Sequence, residues 1–418
     1  MEGKTREENF HTNYESRKWL FLLAFFTLLY SCKKSSVEFP EITGLQKVET
    51  YDGGFLYKTN SEKFHVICLN GTYRQMGRQY GYLLRDLMAD YYNEVERISL
   101  ATGISNSQMN AYSTTFYANQ PYPFKQIMDG MTETSGLGIL RQHIVCSAMS
   151  MMLNLWTGCS GIEVWDKYTK DGKMICGRNW DAAKGRFDQL GKYLVVVIYN
   201  PGTYVQNVAE VNYAGSISPQ TMMNEKGLYL DLHSCQLSDT SYLPGRLPSG
   251  YLLFSFLLNS TIMEDLSKFF TSTRPGASLL VNAASNTESY CFQWPTYALQ
   301  QREPDSAGLL VSTNHFVNYP LEWPVLPLPT DAEKAAFTVQ RRDNLLNLAF
   351  QNKGNIDAGK MMDLMELTIP QGGATFPDNE PGYATFYQIV TVQQDMVWYL
   401  KARNYSGWEM IPMKDLFH

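Results

Sequence analysis

The sequence predicts an α+β fold in which strands and helices lie in separate layers. From Cys159 to the C-terminus, strand-like segments alternate with two pairs of helical patterns, whereas the stretch before Gly158 is mainly helical. Runs of strands broken by paired helices are typical of layered α+β proteins. A chain of 418 residues with 44% hydrophobic residues is long enough to bury one large core or two moderate ones.

The N-terminal segment, residues 1–31, has the pattern of a signal peptide. Arg17 and Lys18 precede an apolar run over residues 19–30, which is too short to span a bilayer that needs about 20 residues. The run ends in Leu29-Tyr30-Ser31-Cys32, which resembles a bacterial lipobox. We therefore expect lipidation of Cys32, a tether over residues 32–44, and a lipid-anchored protein of the bacterial cell envelope. A plain signal peptide is the alternative.

Residues 45–158 form the predicted N-terminal segment, which is mainly helical after one or two strands within residues 55–69. The first helical pattern begins near Thr72 and runs towards Ile98. Gly77 and Gly81 are four residues apart and share one face of this helix, so another backbone can approach that face closely. Further helices are predicted around residues 106–117 and from about 137 to 155.

Residues 159–418 form the second predicted domain, in which strands dominate. A proline-rich stretch at residues 319–329 predicts a long surface loop. Helical patterns occur near residues 252–258, 261–270, 332–350 and 357–367. The strand-like segments cover residues 193–199, 208–213, 227–232, 278–284, 289–294, 308–313, 385–395 and 396–402.

Charge and composition exclude several classes of protein. The net charge is −6 and no cluster of Lys and Arg is long enough to follow a phosphate backbone, which argues against nucleic acid as a partner. No cofactor or metal is predicted, because the six histidines are isolated and zinc-helix, Cys-x-x-Cys and phosphate-loop motifs are missing from the sequence. Once Cys32 and Cys159 are set aside, an odd number of cysteines remains in apolar runs, which predicts buried free thiols. These are Cys68, Cys146, Cys176, Cys235 and Cys291.

Cys159 is the candidate nucleophile because of the residues around it. Gly158 precedes it, a strand-like run follows, and Asp171-Gly172 predicts a tight turn. A second strand-like run ends in Gly177-Arg178-Asn179-Trp180-Asp181, so this hairpin returns an arginine and a carboxylate towards the thiol. If the chain breaks before Cys159, a thiol and an α-amine occur on one residue, and the nucleophile arrives with its base.

Two other interpretations of Cys159 remain open at this stage. It could be a buried structural thiol, which is the usual state of a lone cysteine. It could also pair with His233 or His315 as a Cys/His dyad, although the spacing in the sequence does not support this.

Two sequence signatures, taken in the order in which they occur along the chain, resemble the penicillin acyltransferase-like autoproteolytic family of N-terminal-nucleophile (Ntn) hydrolases. They resemble more distantly the choloylglycine hydrolases, acid ceramidase and phospholipase B-like proteins. One signature is the run Gly-Thr-Tyr-Arg-Gln-Met-Gly-Arg-Gln-Tyr-Gly from Gly71 to Gly81, and the other is Gly158-Cys159 with the hairpin that ends at Asp181. The resemblance covers most of the chain beyond residue 60. It implies a four-layer αββα sandwich preceded by a mainly helical pro-segment.

The resemblance also implies an activity. Cys159 would attack the carbonyl of Gly158, and the two resulting chains, residues 45–158 and 159–418, would stay associated. The mature protein would then hydrolyse, or transfer the acyl group of, a linear non-peptide C–N amide in a small N-acyl substrate. The alternatives are a choloylglycine-type bile-salt amidase, a thiol esterase, or an inactive ligand-binding lipoprotein on the same fold.

The resemblance assigns roles to further residues. Arg178 would favour the thiolate of Cys159, and Asp181 would orient the new α-amine. Asn224, in Met-Asn-Glu-Lys-Gly-Leu, and Asn314, in Val-Ser-Thr-Asn-His, would supply oxyanion-hole donors. Arg341 matches a helical arginine of the family. A turn explains Asn224 equally well, a strand-end cap explains Asn314, and a solvated helix face explains Arg341, for whose role Arg342 competes.

Overall fold

The computed structural model describes residues 39–152, 157–185, 188–202, 204–235, 245–325 and 332–417. From Glu41 onwards the chain forms one compact unit. The predicted signal peptide, Cys32 and the first part of the tether lie outside the described residues, so these assignments stay predictions. None of the helices in the described ranges is long and apolar enough to cross a bilayer.

The larger sheet is built from both predicted domains. Its strands are β1 (Leu45–Tyr51), β2 (Gly54–Thr59), β3 (His65–Asn70), β6 (Leu194–Asn200), β7 (Val208–Tyr213), β8 (Thr221–Asn224), β9 (Tyr229–Ser234), β10 (Leu279–Ala284), β11 (Ser289–Trp294) and β12 (Gln300–Arg302). They lie side by side in that order. The β3 and β6 strands pair in parallel, and the other neighbouring strands of this sheet are antiparallel.

The smaller sheet carries the candidate nucleophile. Its strands are β4 (Thr157–Val164), β5 (Ile175–Ala183), β13 (Leu309–Ser312), β14 (Tyr383–Val392), β15 (Val397–Ala402) and β16 (Glu409–Pro412). They are antiparallel in the order β13-β4-β5-β14-β15-β16. The β4 strand therefore lies inside the sheet, between β5 and β13.

The helices of the described chain cover the two outer faces. The helices that precede β4 are α1 (Tyr73–Leu83), α2 (Arg85–Ala101), α3 (Asn106–Asn119), α4 (Tyr122–Thr134) and α5 (Ile139–Met152). The helices that follow β4 are α6 (Ser249–Leu258), α7 (Met263–Ser272), α8 (Ala332–Gln351), α9 (Ala358–Glu366) and the short α10 (Met413–Leu416).

Contacts between these elements define four layers. The α1 helix contacts β2 and β3, and α6 contacts β7 and β8, so both cover the larger sheet. The β9 and β4 strands contact each other across the interface between the sheets. On the far side, α8 contacts β4 and β13, while α9 contacts β5 and β14. The order is helices, sheet, sheet, helices, and the predicted α+β class with αββα layers is confirmed.

The glycine face predicted for the first helix is confirmed. A Cβ atom added at Gly77 would lie 2.2 Å from the carbonyl oxygen of Ile127, and one at Gly81 would lie 2.6 Å from that of Met131. On the other helix, a Cβ at Gly130 would lie 2.3 Å from the carbonyl oxygen of Arg74. The α1 and α4 helices therefore pack backbone against backbone, which side chains at these positions would prevent.

Several elements differ from the prediction. The α4 helix was not expected, because Pro121, Pro123 and Gly130 lower helical propensity, although proline is tolerated at a helix start. The long first pattern divides at Leu84 into α1 and α2. Residues 45–158 also contribute three strands to the layered domain. The short strands β8, β12 and β16 escaped prediction because three or four residues carry no clear alternation.

The predicted free thiols and surface loop agree with the structure where it describes them. Cys68, Cys146, Cys176 and Cys291 are buried, Cys235 is half-buried, and none of these five described cysteines forms a disulfide. Residues 319–325 contain neither helix nor strand, and the rest of the proline-rich stretch lies outside the described residues.

Candidate active site

The hairpin of β4 and β5 places Arg178 and Asp181 at the level of the Cys159 thiol. The β4 and β5 strands pair with Gly158 opposite Asp181, Cys159 opposite Trp180, and Gly161 opposite Arg178. Side chains alternate between the faces of a strand. Cys159 and Arg178 therefore face the larger sheet, whereas Asp181 faces the layer that contains α8.

The larger sheet holds Arg178 beside the sulfur. The Nη2 atom of Arg178 lies 3.4 Å from Sγ of Cys159 and donates to the carbonyl oxygen of Leu232 at 2.7 Å. Its Nη1 atom donates to the carbonyl oxygen of Gln220 at 3.0 Å. The side chain is completely buried, and the carboxylate of Asp231 lies 3.8 Å from Nη1. The guanidinium is therefore fixed by acceptors from strands far away in the sequence.

A second arginine approaches Cys159 from the opposite face of β4. The Nη1 atom of Arg341, on α8, donates to the carbonyl oxygen of Cys159 at 3.0 Å and to Oδ2 of Asp181 at 2.7 Å. Thr385, on β14, donates to the other oxygen of Asp181 at 2.6 Å. Burial raises the pKa of Asp181, and the charge of Arg341 opposes this change. The ion pair thus compensates a carboxylate that has no contact with solvent.

Asn314 binds the main-chain nitrogen of Cys159. The β13 and β4 strands pair with Ser312 opposite Gly161, so Asn314 lies at the level of Cys159 just beyond the strand. Its Oδ1 atom accepts from the nitrogen of Cys159 at 3.0 Å and from Nη2 of Arg341 at 2.8 Å. Its Nδ2 atom donates to the carbonyl oxygen of Ser234 at 2.8 Å. In the continuous chain Asn314 is therefore an acceptor for this nitrogen, while its predicted oxyanion role stays a prediction.

Three different side chains thus hold three atoms of Cys159. Arg178 contacts the sulfur, Asn314 the nitrogen and Arg341 the carbonyl oxygen. Burial raises the pKa of the Cys159 thiol to about 11, although the charge of Arg178 lowers it in part. At neutral pH the thiol is therefore protonated, and it needs a base before it can act as a nucleophile.

Replacement of Arg178 tests its effect on the sulfur. Arg178→Met is expected to slow alkylation of Cys159 by iodoacetamide at pH 8 by about tenfold or more, because an opposite charge within ~4–6 Å lowers a pKa by about one unit or more. Below the thiol pKa, each unit of increase removes nine-tenths of the remaining thiolate. The rate constant measured by mass spectrometry checks this, with Arg178→Lys as the control that keeps the charge. An unchanged rate in the methionine variant would show that Arg178 does not set ionisation.

Two predicted candidates lie apart from this cluster. Asn224 ends β8, where Nδ2 donates to the carbonyl oxygens of Leu257 and Ser260 and Oδ1 accepts from the nitrogens of Lys226 and Leu228. These are contacts of a turn residue, and within the described ranges no hydrogen bond joins Asn224 to Cys159, so its oxyanion role stays a prediction. Arg342, the competitor of Arg341, contacts Asp343 at 3.7 Å instead.

The two candidate dyad histidines have other partners. Nε2 of His233 lies 2.6 Å from Oδ1 of Asp231, and Nδ1 of His315 lies 3.0 Å from Oγ1 of Thr338. Burial lowers the pKa of both imidazoles, that of His315 to about 4. Within the described ranges neither ring forms a hydrogen bond with the sulfur.

Thr385 and Asp231 were not predicted from the sequence. Asp231 belongs to a completely buried polar group that continues through His233 and Asn282 to Glu163. The alternation of side chains along β9 could have placed Asp231 and His233 on one face of the strand. No pattern in the neighbouring sequence, however, connects them with Arg178. As far as the described chain extends, no cluster of three His, Cys, Asp or Glu side chains could hold a metal ion.

No family model and no curated protein matches this chain. Among solved structures, it is similar to a mutant of the conjugated bile acid hydrolase from Clostridium perfringens, with 15% identity, a TM-score of 0.42, and coverage of 62% of this chain and 94% of that chain. It is also similar to the N-acylethanolamine-hydrolyzing acid amidase ortholog from Caenorhabditis elegans, with 13% identity, a TM-score of 0.40, and coverage of 59% and 98%. A third similar structure is penicillin V acylase from Agrobacterium tumefaciens, with 13% identity, a TM-score of 0.38, and coverage of 62% of this chain and 88% of that chain. These are distant similarities.

Proposed function

We propose that this protein is a cysteine amide hydrolase of the Ntn type. It would cut its own chain between Gly158 and Cys159 and then hydrolyse, or transfer the acyl group of, a linear non-peptide amide. The observation that carries this proposal is the separate support of the sulfur, nitrogen and carbonyl oxygen of Cys159. A structural thiol needs none of these contacts, whereas a residue that supplies both nucleophile and base needs all of its reacting atoms fixed.

The first step would be maturation. The sulfur of Cys159 attacks the carbonyl carbon of Gly158, the peptide C–N bond breaks, and the thiol proton passes to the leaving nitrogen. Water then hydrolyses the thioester, which returns the thiol and leaves a carboxylate on Gly158. The small residue before Cys159 favours close approach, because a Cβ at position 158 would lie only 3.2 Å from Cβ of Asp181.

In the second step the new α-amine would act as the base. An α-amine has a pKa of about 8, so a useful fraction is neutral near pH 7. Asn314 already lies 3.0 Å from this nitrogen and would keep it oriented towards the sulfur. The amine accepts the thiol proton while the sulfur attacks the substrate carbonyl, and it returns that proton to the leaving amine. Water or another amine then releases the acyl group from the sulfur.

Arg178 and Arg341 would provide the electrostatic support. Both are almost completely buried, where a fixed charge acts more strongly than it does in water. Arg178 lies on the side of the sulfur, and Arg341 lies on the side of the main chain and Asp181. Asn224 is left as a predicted oxyanion donor without a contact that supports it.

The purified wild-type protein tests this function directly. Intact-mass measurement and N-terminal sequencing should find a chain that begins at Cys159, and a panel of N-acyl amides should yield a free amine. A protein that is uncut, releases no amine and still binds acyl ligands would instead favour the ligand-binding alternative.

A further inference from the structure

Two cavities adjoin each other, and one of them reaches residues that contact Arg178. One has a volume of about 190 Å³ and the other of about 370 Å³. Both are lined by Phe116, Gln120, Ser150, Pro248 and Ser249. Because they share these residues, the two adjoining cavities are here together called the side cleft. The larger cavity alone is within the range of small-molecule sites, about 300–1,000 Å³.

The inner end of the side cleft reaches the residues that hold Arg178. Gln220 and Leu232 line the smaller cavity, and their carbonyl oxygens accept from the guanidinium of Arg178. The same guanidinium lies 3.4 Å from the sulfur of Cys159. Arg178 therefore contacts both the sulfur of Cys159 and the residues at the inner end of the cleft.

The outer end of the side cleft carries a positive charge. Arg246 lines the larger cavity, together with the aromatic ring of Tyr112 and the side chain of Leu247. Among the described residues that line either cavity, Arg246 is the one charged side chain. A ligand in this cleft would contact mainly neutral surface along its length and a cation at its far end.

Within the described residues, the hydrogen bonds of Arg246 go to neutral acceptors. Its Nη1 atom donates to the carbonyl oxygens of Pro275 and Thr296, at 2.9 and 2.5 Å. These acceptors fix the side chain, and over the described part of the chain no carboxylate pairs with it. Among the same residues no hydrogen bond engages its Nε and Nη2 donors, and a guanidinium with two such donors suits a planar carboxylate.

We infer that the side cleft binds the acyl half of the substrate, and that this acyl group ends in an anionic group that pairs with Arg246. This inference rests on the proposed function. The acyl half stays bonded to the sulfur after the amine has left, and the inner end of the side cleft adjoins the residues that hold Arg178 beside that sulfur, so the cleft suits the half that stays. A carboxylate remote from the scissile amide is the simplest group that matches a fixed guanidinium.

The side cleft also draws its walls from both sides of the proposed cut. Phe116, Gln120 and Ser150 precede Gly158, whereas Pro248 and Ser249 follow it. The segment before the cut would therefore remain part of the binding site, and selection of the acyl group would depend on both pieces.

Matched substrates test the anionic end of the acyl group. The para-nitroanilides of adipic acid (mono-amide) and hexanoic acid differ only in the terminal carboxylate. Wild type is expected to prefer the adipoyl substrate in kcat/KM by roughly 10- to 100-fold, and Arg246→Gln is expected to abolish this preference. The matched control is Arg274→Gln. Arg274 also binds only carbonyl oxygens, those of Phe270, Thr271 and Thr273, and it lines neither cavity, so the preference should persist.

A binding measurement separates this inference from the proposed function. Calorimetry with the Cys159→Ala protein should show that adipate binds more tightly than hexanoate, and that Arg246→Gln removes the difference. Adipate binding without any hydrolysis would support the side cleft and contradict the proposed reaction. Equal hydrolysis of both anilides, unaffected by Arg246→Gln, would overturn the inference and leave the proposed reaction intact. Absence of both hydrolysis and binding would overturn both.

Discussion

The Cys159→Ala variant is expected to remain a single uncut chain and to lose amide hydrolysis by at least about ten-thousand-fold. Removal of a nucleophile has effects of this size or larger in other hydrolases. Both losses have one cause, because the same sulfur would cut the chain and attack the substrate. Intact-mass measurement detects the first loss, and release of amine from an N-acyl amide detects the second.

Cys176→Ala is the matched control for this variant. Cys176 lies on the neighbouring strand β5 and is as deeply buried as Cys159, but its sulfur accepts from Gln393, whereas that of Cys159 lies beside Arg178. It should mature normally and keep its activity. An alanine variant at position 159 that is cut, or that hydrolyses amides at the wild-type rate, would refute the mechanism. So would an uncut wild type with full activity.

The Gly77→Ala variant is expected to lower the free energy of unfolding by about 3 kcal/mol, at the upper end of the usual cost of overpacking a core. The added methyl group would lie 2.2 Å from the carbonyl oxygen of Ile127, which is a backbone atom and cannot rotate away. The α1 and α4 helices must separate to admit it. Denaturant unfolding in the Cys159→Ala background, where the chain stays continuous, measures the change.

Gly359→Ala is expected to raise the free energy of unfolding in the same experiment. Gly359 lies in α9, is exposed, and has no atom closer than 3.5 Å to an added Cβ. Alanine there should stabilise the protein by up to about 1 kcal/mol, because it improves helical propensity without a steric cost. If both substitutions stabilised the protein, the α1–α4 contact would have to be looser than described.

Local patterns in the sequence predicted the parts of the site that depend on neighbouring residues. The hairpin that brings Arg178 and Asp181 to the level of Cys159 was predicted, although residues 165–174 connect its strands instead of a tight turn at Asp171-Gly172. Helical spacing placed Gly77 and Gly81 on one face. The layered α+β class followed from the alternation of strand and helix patterns, whereas the αββα order was implied by the family resemblance. The hairpin and the glycine face are each set within about 20 residues of chain.

Contacts between distant segments were not predictable in this way. Thr385 reaches Asp181, and Asp231 approaches Arg178, only after two sheets have stacked. Asn224 is a different case, because the motif around it suits both an active site and a turn. Its contacts with carbonyl groups of distant segments could not be predicted from that motif. Arg341 and Arg342 are adjacent in sequence, and only the orientation of α8 distinguishes the one that binds Asp181.

The parallel pairing of β3 with β6 has a consequence for the lifetime of the protein. These strands, 6 and 7 residues long, lie on opposite sides of the Gly158–Cys159 bond. If that bond is cut as proposed, each piece keeps a strand hydrogen-bonded to the other, and neither piece alone has the complete larger sheet. Assembly is then an irreversible event that happens once, while the connection still exists. Afterwards, persistence in the cell would be governed by how slowly the molecule opens, because separated halves would have to find each other again by diffusion.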